Sequence, residues 1–477
     1  MLAASSPWEA RRLLRRWLQL PQTYALLALV LVVAALLSQL QLGSGRPSGT
    51  ARDLLALRGR DDLNVVFIVI DTLRADHLSS YGYERPTSPN LDALAASGIR
   101  FASVESQSSW TKASMASLWL GAYPERTGVT RYSHAIPPEA TLPAEILSKA
   151  GFVTAGIWRN GWVAENFGFA QGFDLYQRPA PARTPERMQR RTPSSHPLLG
   201  TDLDATESAL EFLRSRGHER FLLYVHYMDV HQYLYDQSSA LFGVEYVDAY
   251  DNAIHWVDRN VAVLVNGLAE RDLLDETVIA VVSDHGEAFF EHGTEGHARN
   301  LYREVTETPW ILVPPFRLSP GIVVAETVRN VDVWPTLLDL LGLNRLPSAE
   351  GRSALPLILA AGGAAEAPEW EPTAFAQLDQ TWGQTTSPHR PIISVREGPY
   401  RLIRRVGPKP GAELFDRRSD PLEQYDIASE RPEHVARLGA RVDEFLAQPE
   451  APWGEAPEVE VEELRLNQLR ALGYVIE

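Results

Sequence analysis

Three stretches of this 477-residue chain are apolar almost without interruption: Asn64-Val65-Val66-Phe67-Ile68-Val69-Ile70, Phe221-Leu222-Leu223-Tyr224-Val225-His226 and Val278-Ile279-Ala280-Val281-Val282. A strand with one wet face alternates apolar and polar residues. Runs that do not alternate, and that are rich in β-branched residues, belong to strands buried on both faces. Shorter strands are expected at Phe101–Val104 and Phe152–Trp158. Helices are expected at Asn90–Ser97, from Thr111 onward, and at Leu142–Ala150, Asp204–Arg216 and Asn252–Leu268. Strands alternating with helices at this spacing predict an α/β fold, a doubly wound, mostly parallel sheet with helices on both faces. Ligands of such a sheet lie beyond the carboxyl ends of its strands. Asp71, Asp229, His231, Asp284 and His285 each fall just past one.

The strand Val278–Val282 delivers adjacent Asp284 and His285, a hard oxygen and an imidazole nitrogen, to one point. Gly286 permits a tight turn there, and His292 and His297 follow close by. Thr111 opens a helix, where the unsatisfied N–H groups and the dipole favour an anionic ester; Thr is also a common N-cap. Ser109 and Ser114 are rival hydroxyls, and Ser114 is expected to be a local hydrogen-bond partner. Lys112, on the first turn, is expected to be exposed, with contact to an anionic substrate as the alternative. His226, His255 and His292 are expected to pack or hydrogen-bond locally. The chain has no Cys, which removes disulfides and thiolate metal sites. A net charge of −16 argues against nucleic acid as a partner.

Before the first strand, Tyr24–Leu37 is an apolar run that reaches about 28 Å as a helix when extended to Leu42. Arg11, Arg12, Arg15 and Arg16 precede it, so the positive-inside rule places residue 1 in the cytoplasm and the bulk outside. A cleaved signal peptide is the alternative. No small-x-small site follows Leu37, so an uncleaved single-pass anchor in the inner membrane, with the bulk of the chain periplasmic or extracellular, is expected. Residues 1–23 form a basic cytoplasmic terminus, with an amphipathic interfacial helix at Ser5–Leu20. Residues 24–42 form the anchor, and 43–62 a linker or short juxtamembrane helix. The core spans 63–346, with a mobile insertion at Pro179–Pro197 and a helix at Val333–Leu343. A connector at 347–372 leads to a C-terminal subdomain and tail, 373–477. In that part Pro391–Asp416 reads as short antiparallel strands and Pro432–Leu446 as a helix.

Several segments together resemble the sulfatase-like branch of the alkaline phosphatase superfamily. They are Asn64–Asp71 with Arg74-Ala75-Asp76-His77, Thr87-Ser88-Pro89-Asn90, Trp110–Gly121 with Tyr123-Pro124, His226–His231, Ser283–His297, Leu301–Glu304, Val331–Leu338 and Glu413–Glu423. The resemblance implies an alkaline-phosphatase-like sheet with a small C-terminal α+β subdomain. It further implies that Asp71, Thr111, Asp284 and His285 hold one metal, with Thr111 as nucleophile. His231 and His297 would hold a second metal or assist the reacting oxygens, and Asp229 would join them as a ligand. The departures from the family pattern run one way. Thr111 stands where sulfatases carry a Cys or Ser oxidised to formylglycine, Thr72 replaces a second Asp, His285 replaces Asn, and Ala113 and Met115 replace Pro and Arg. An imidazole ligand suits Zn²⁺ or Mn²⁺ better than Ca²⁺, as one or two ions. The expectation is a membrane-anchored, metal-dependent hydrolase acting on an anionic phosphate mono- or diester. The alternatives are a phosphoethanolamine or phosphoglycerol transferase to an envelope glycan or lipid, a sulfuric ester hydrolase, and a catalytically weak glycan- or lipid-binding descendant.

Overall fold

In the computed structural model the described residues are 46–181, 188–190, 200–370, 372–379, 391–406, 410–447 and 452–461. The central sheet has eight strands: β1 (Asn64–Ile70), β2 (Ile99–Glu105), β3 (Val153–Trp158), β4 (Leu175–Gln177), β5 (Phe221–Tyr227), β6 (Thr277–Val282), β7 (Glu307–Val313) and β8 (Ile322–Arg329). Their spatial order is β8-β2-β7-β6-β1-β5-β3-β4. Within this sheet β7 alone runs against its neighbours, β2 and β6; every other pairing is parallel. The mostly parallel architecture expected from the apolar runs is what forms.

Period-two alternation sends the apolar residues of β1 to two separate cores. Val65, Phe67 and Val69 pack on one side and Val66, Ile68 and Ile70 on the other. The principal helices are α1 (Pro89–Ala96), α2 (Thr111–Leu120), α3 (Asp202–Arg216), α4 (Tyr246–Ala269), α5 (Val333–Leu340) and α6 (Pro432–Leu446). The first side is covered by α2 and α5. There Phe67 lies 4.7 Å from Trp334, and Trp119 stacks on Trp334 at 5.1 Å between ring centres. Leu91, Leu213 and Ile254, from α1, α3 and α4, cover the second side. Because both faces are dry, the sheet has only its ends through which to meet a polar ligand.

The expected membrane anchor and interfacial helix lie outside the described residues. Among the described residues no helix is long and apolar enough to cross a membrane. Within the 43–62 segment, Ala51–Gly59 forms a 3₁₀ helix whose Ala51, Leu54 and Leu57 are buried in the first core, so this part is docked on the domain. Most of the Pro179–Pro197 insertion also lies outside the described residues, but Met188–Arg190 is a strand paired with Leu234–Asp236. The C-terminal subdomain is an antiparallel sheet of β9 (Ala374–Asp379), β10 (Pro391–Glu397), β11 (Tyr400–Arg405) and β12 (Gly411–Asp416). Leu438, Val442 and Phe445 of α6 close its core.

Candidate active site

The chemistry-bearing residues converge where β6, β1, β5 and β3, four adjacent strands, end. Asp71 follows β1 directly, Asp284 and His285 follow β6, Asp229 and His231 follow β5, and Asn160 follows β3. Asp71, Asp284 and His285 are fully buried, and each offers a ligand atom within 4.8 Å of the others. Thr111 Oγ1 lies 3.2 Å from His285 Nε2. The Nδ1 of that ring is 2.9 Å from the Gly286 carbonyl oxygen, which can only accept, so Nδ1 carries the hydrogen. In the neutral ring Nε2 therefore turns a lone pair toward the Thr111 oxygen and the two carboxylates.

The two carboxylates repel one another in this dry setting. Burial, reinforced by the charge of Asp71, pushes the Asp284 carboxyl above its usual range. Burial would raise Asp71 as well, but hydrogen bonding from His226 and the nearby His231 and His285 hold it far below. Asp71 Oδ1 and Asp284 Oδ2 are buried without a hydrogen-bond partner. Orphaned carboxylate oxygens beside an imidazole lone pair are the donor set of a divalent cation site. These residues fit the metal that the resemblance implies.

The backbone is shaped to serve the same point. Thr72 adopts φ of 61°, a left-handed conformation costly for a β-branched residue, and this turns its N–H onto Asp284 Oδ1 at 3.2 Å. Its hydroxyl bonds the Asp71 carbonyl, and Tyr250 donates to the Thr72 carbonyl at 2.7 Å. Gly286 is required by close approach, because a Cβ there would come within 2.1 Å of the Glu304 carbonyl oxygen. Thr111 is the first residue of α2; the N-cap is Trp110, so Thr111 does not serve as the cap.

His231 and His297 complete the second rank. The His297 ring centre is 4.9 Å from that of His231 and 4.6 Å from that of His285. Burial lowers His231 to about 4, whereas Glu287, 3.0 Å from His297 Nδ1, overcomes burial and raises His297. Asp229, expected as a ligand, is not brought into the cluster. Its oxygens are taken by Arg159, by Trp256 Nε1 at 2.8 Å and by the Asp202 N–H at 2.7 Å, which makes it an anchor for the loop carrying His231. Ser114 bonds the Asp284 carbonyl at 2.6 Å, as expected of a local partner, and Ser109 is engaged with the Asn300 carbonyl. His292 and His255 are local, bonding Glu304 and the Thr87 carbonyl respectively. Lys112, expected at the surface, is completely buried.

Three residues of the site escaped the sequence reading. Asn160 Nδ2 donates to Asp71 Oδ2 at 2.6 Å and lies 3.3 Å from Thr111 Oγ1. Its amide orientation is fixed because Oδ1 accepts from the Trp162 N–H. His226, expected to pack locally, reaches Asp71 Oδ2 with Nε2 at 3.2 Å while Tyr224 holds Nδ1. Glu287 orients His297. Asn160 lies two residues past β3, so the strand-end rule that picked Asp284 would have found it. His226 lies inside a strand, where nothing in sequence marks it.

A family model described as Sulfatase matches residues 63–343, and one described as N-sulphoglucosamine sulphohydrolase, C-terminal, matches 291–448. Arylsulfatase K of Mus musculus is 22% identical over 456 residues, covering 81% of this chain and 80% of that protein. The solved structure of a 2-O GAG sulfatase superposes with a TM-score of 0.64 at 19% identity, covering 80% of this chain and 92% of that one. Phosphonate monoester hydrolase of Agrobacterium radiobacter superposes with a TM-score of 0.62 at 17% identity, covering 80% and 95%. At such identities these two likenesses speak for the fold. With a family model spanning the whole central sheet and more than half of its residues, this chain belongs to the sulfatase family.

Proposed function

We propose that this member of the sulfatase family is a metal-dependent hydrolase of phosphate mono- or diesters that uses Thr111 as its nucleophile. The observation that carries the reading is the Thr111 hydroxyl itself, 3.2 Å from His285 Nε2 at the amino end of α2, where formylglycine-bearing relatives need an oxidisable Cys or Ser. Asp71, Asp284, His285 and Thr111 would hold a divalent cation, with Zn²⁺ or Mn²⁺ suited to the imidazole, and such an ion lowers the pKa of a bound hydroxyl and offsets developing negative charge. Asn160 aims one N–H at the Thr111 oxygen and keeps it in place. Attack of Thr111 Oγ1, as its alkoxide, on phosphorus forms one P–O bond and breaks that to the leaving group, giving a phosphothreonine from which water later displaces the same alkoxide. His231 or His297 hands a proton to the departing oxygen and takes one from the water that releases phosphate. That the fold also carries phosphonate monoester hydrolases, from Agrobacterium radiobacter and Silicibacter pomeroyi, supports phosphorus chemistry on this scaffold. The reading includes an N-terminal membrane anchor with the catalytic domain outside the cytoplasm.

Mass spectrometry of the intact protein, after exposure to aryl phosphate mono- and diesters and to an aryl sulfate, tests the reaction class. A phosphoryl adduct on the peptide bearing Thr111 is expected, together with loss of turnover in Thr111→Ala. Turnover of the sulfate alone, or an active Thr111→Ala protein, would sink the proposal. Adding an alcohol acceptor and looking for a transferred phosphoryl group separates transferase from hydrolase.

A further inference from the structure

Lys112 follows the proposed nucleophile directly, yet its side chain has no exposure to solvent. Its Nζ donates to the Tyr132 carbonyl at 2.5 Å and the His134 carbonyl at 2.9 Å. It also sits 3.3 Å from the Phe167 ring centre, 5.0 Å from that of Trp162 and 6.0 Å from that of Trp110. Removing an ammonium from water is costly, and an apolar side chain of the same length would avoid that cost. What the ammonium adds is direction: carbonyl contacts and aromatic faces that fix three chain segments around one point.

Those segments lead back to the reacting atoms. Trp162, one wall of the cage, donates its backbone N–H to Asn160 Oδ1 at 2.9 Å, and Asn160 donates to Asp71 and approaches Thr111. The Tyr132–His134 loop is held from its far side by the C-terminal stretch: Val459 N–H bonds the Ser133 carbonyl and Ala135 N–H the Pro457 carbonyl. The loop is thus clamped between the nucleophile helix and the tail.

We infer that Lys112 is a positioning residue, whose caged ammonium sets the first turn of α2 against the Asn160 turn so that Thr111 Oγ1 and the Asn160 amide keep their reactive alignment. This rests on Thr111 being the nucleophile. The test uses the full-length protein with Lys112→Met, close in length and uncharged, and Lys112→Arg, which keeps the charge and the donors. Steady-state kinetics are measured below the melting temperature of each variant, on the ester the wild-type protein turns over. A misplacement of about 1 Å can cost about 100-fold, so Lys112→Met is expected to lower kcat by that order with KM within about threefold, and Lys112→Arg to recover a substantial part. Lys112→Met with wild-type kcat, or Lys112→Arg no better than Lys112→Met, overturns the inference. Thr111→Ala separates the two readings. An inactive Thr111→Ala protein beside an unimpaired Lys112→Met protein removes only the positioning role, whereas an active Thr111→Ala protein removes both.

Discussion

At the scale of single residues, the site is held in an arrangement that is unfavourable without a counter-ion. Asp71 and Asp284 are buried side by side, each with one oxygen lacking a hydrogen-bond partner, so an ion that binds there stabilises the folded state by mass action. Adding Mn²⁺ or Zn²⁺ is expected to raise the melting temperature and EDTA to lower it, read by differential scanning fluorimetry. In Asp284→Asn this metal dependence should largely vanish; an unchanged response would place the ion elsewhere. Asn160→Ala removes the donor aimed at Thr111 Oγ1, the proposed nucleophile. A fall in kcat of about 10²-fold, the order seen when one such donor is lost, is expected, together with a lower melting temperature because the buried Trp162 N–H and Asp71 Oδ2 each lose a partner. Strand ends in the sequence pointed to Asp71, Asp284 and His285, because oxygen and imidazole donors past apolar strands have few other uses, and the resemblance added Thr111. Sequence placed Asp229 and Lys112 wrongly for one reason. A carboxylate is as well satisfied by a buried Arg159 as by a metal, and a Lys is as well satisfied by carbonyls and rings as by water, once folding supplies them.

At the scale of elements, the end of β6 is shaped by contact more than by backbone freedom. Gly286 lies against the chain at Glu304, so Gly286→Ala must displace Asp284-His285 or the Tyr302–Thr306 segment. The expected outcome is a loss of about 1–3 kcal/mol, seen as a lower melting temperature in circular dichroism, together with lost activity. A Gly286→Ala protein with wild-type stability would mean that the segment yields at no cost. Strand and helix positions were legible because burial on both faces writes itself into composition: β1, β5 and β6 are where the apolar runs stand. The helix read as Asn252–Leu268 starts earlier, at Tyr246, because Asp248 bonds back to the Glu245 N–H in a capping arrangement that polar residues do not announce. Thr111 falls one residue inside its helix, which frees its hydroxyl from the capping role that the sequence equally allowed.

At the scale of the whole molecule, the C-terminal subdomain is joined to the sheet by buried charge. Arg401 bonds both oxygens of Glu105, and Arg417 reaches Glu105 and Glu307, so β11 and β12 are tied to the carboxyl end of β2 and the start of β7. Arg401→Met withdraws charge-assisted hydrogen bonds while Arg396 and Arg417 still face Glu105, so it is expected to destabilise by about 1–3 kcal/mol and to make the subdomain protease-sensitive. The same network predicts acid lability. Burial works against both carboxylates, but Arg417 and Arg303 bring Glu307 down to about 2, and Arg401 with Arg396 and Arg417 lowers Glu105. A lowered carboxyl contributes stability that is fully present above its unfolded value and is lost as pH falls through its folded one. An equilibrium unfolding series should therefore show stability declining from about pH 4.5 toward pH 2, and less steeply in Glu307→Gln. The sequence by itself determined the parallel sheet, its two dry faces and the set of donors at its ends, because burial and strand direction are written in local composition. Only the tertiary structure decided which donors meet: Asn160 and His226 brought to Asp71, Asp229 turned to Arg159, and Lys112 sealed behind Thr111. These pairings join residues far apart in the chain, and their energies exist only once the surrounding protein has excluded water.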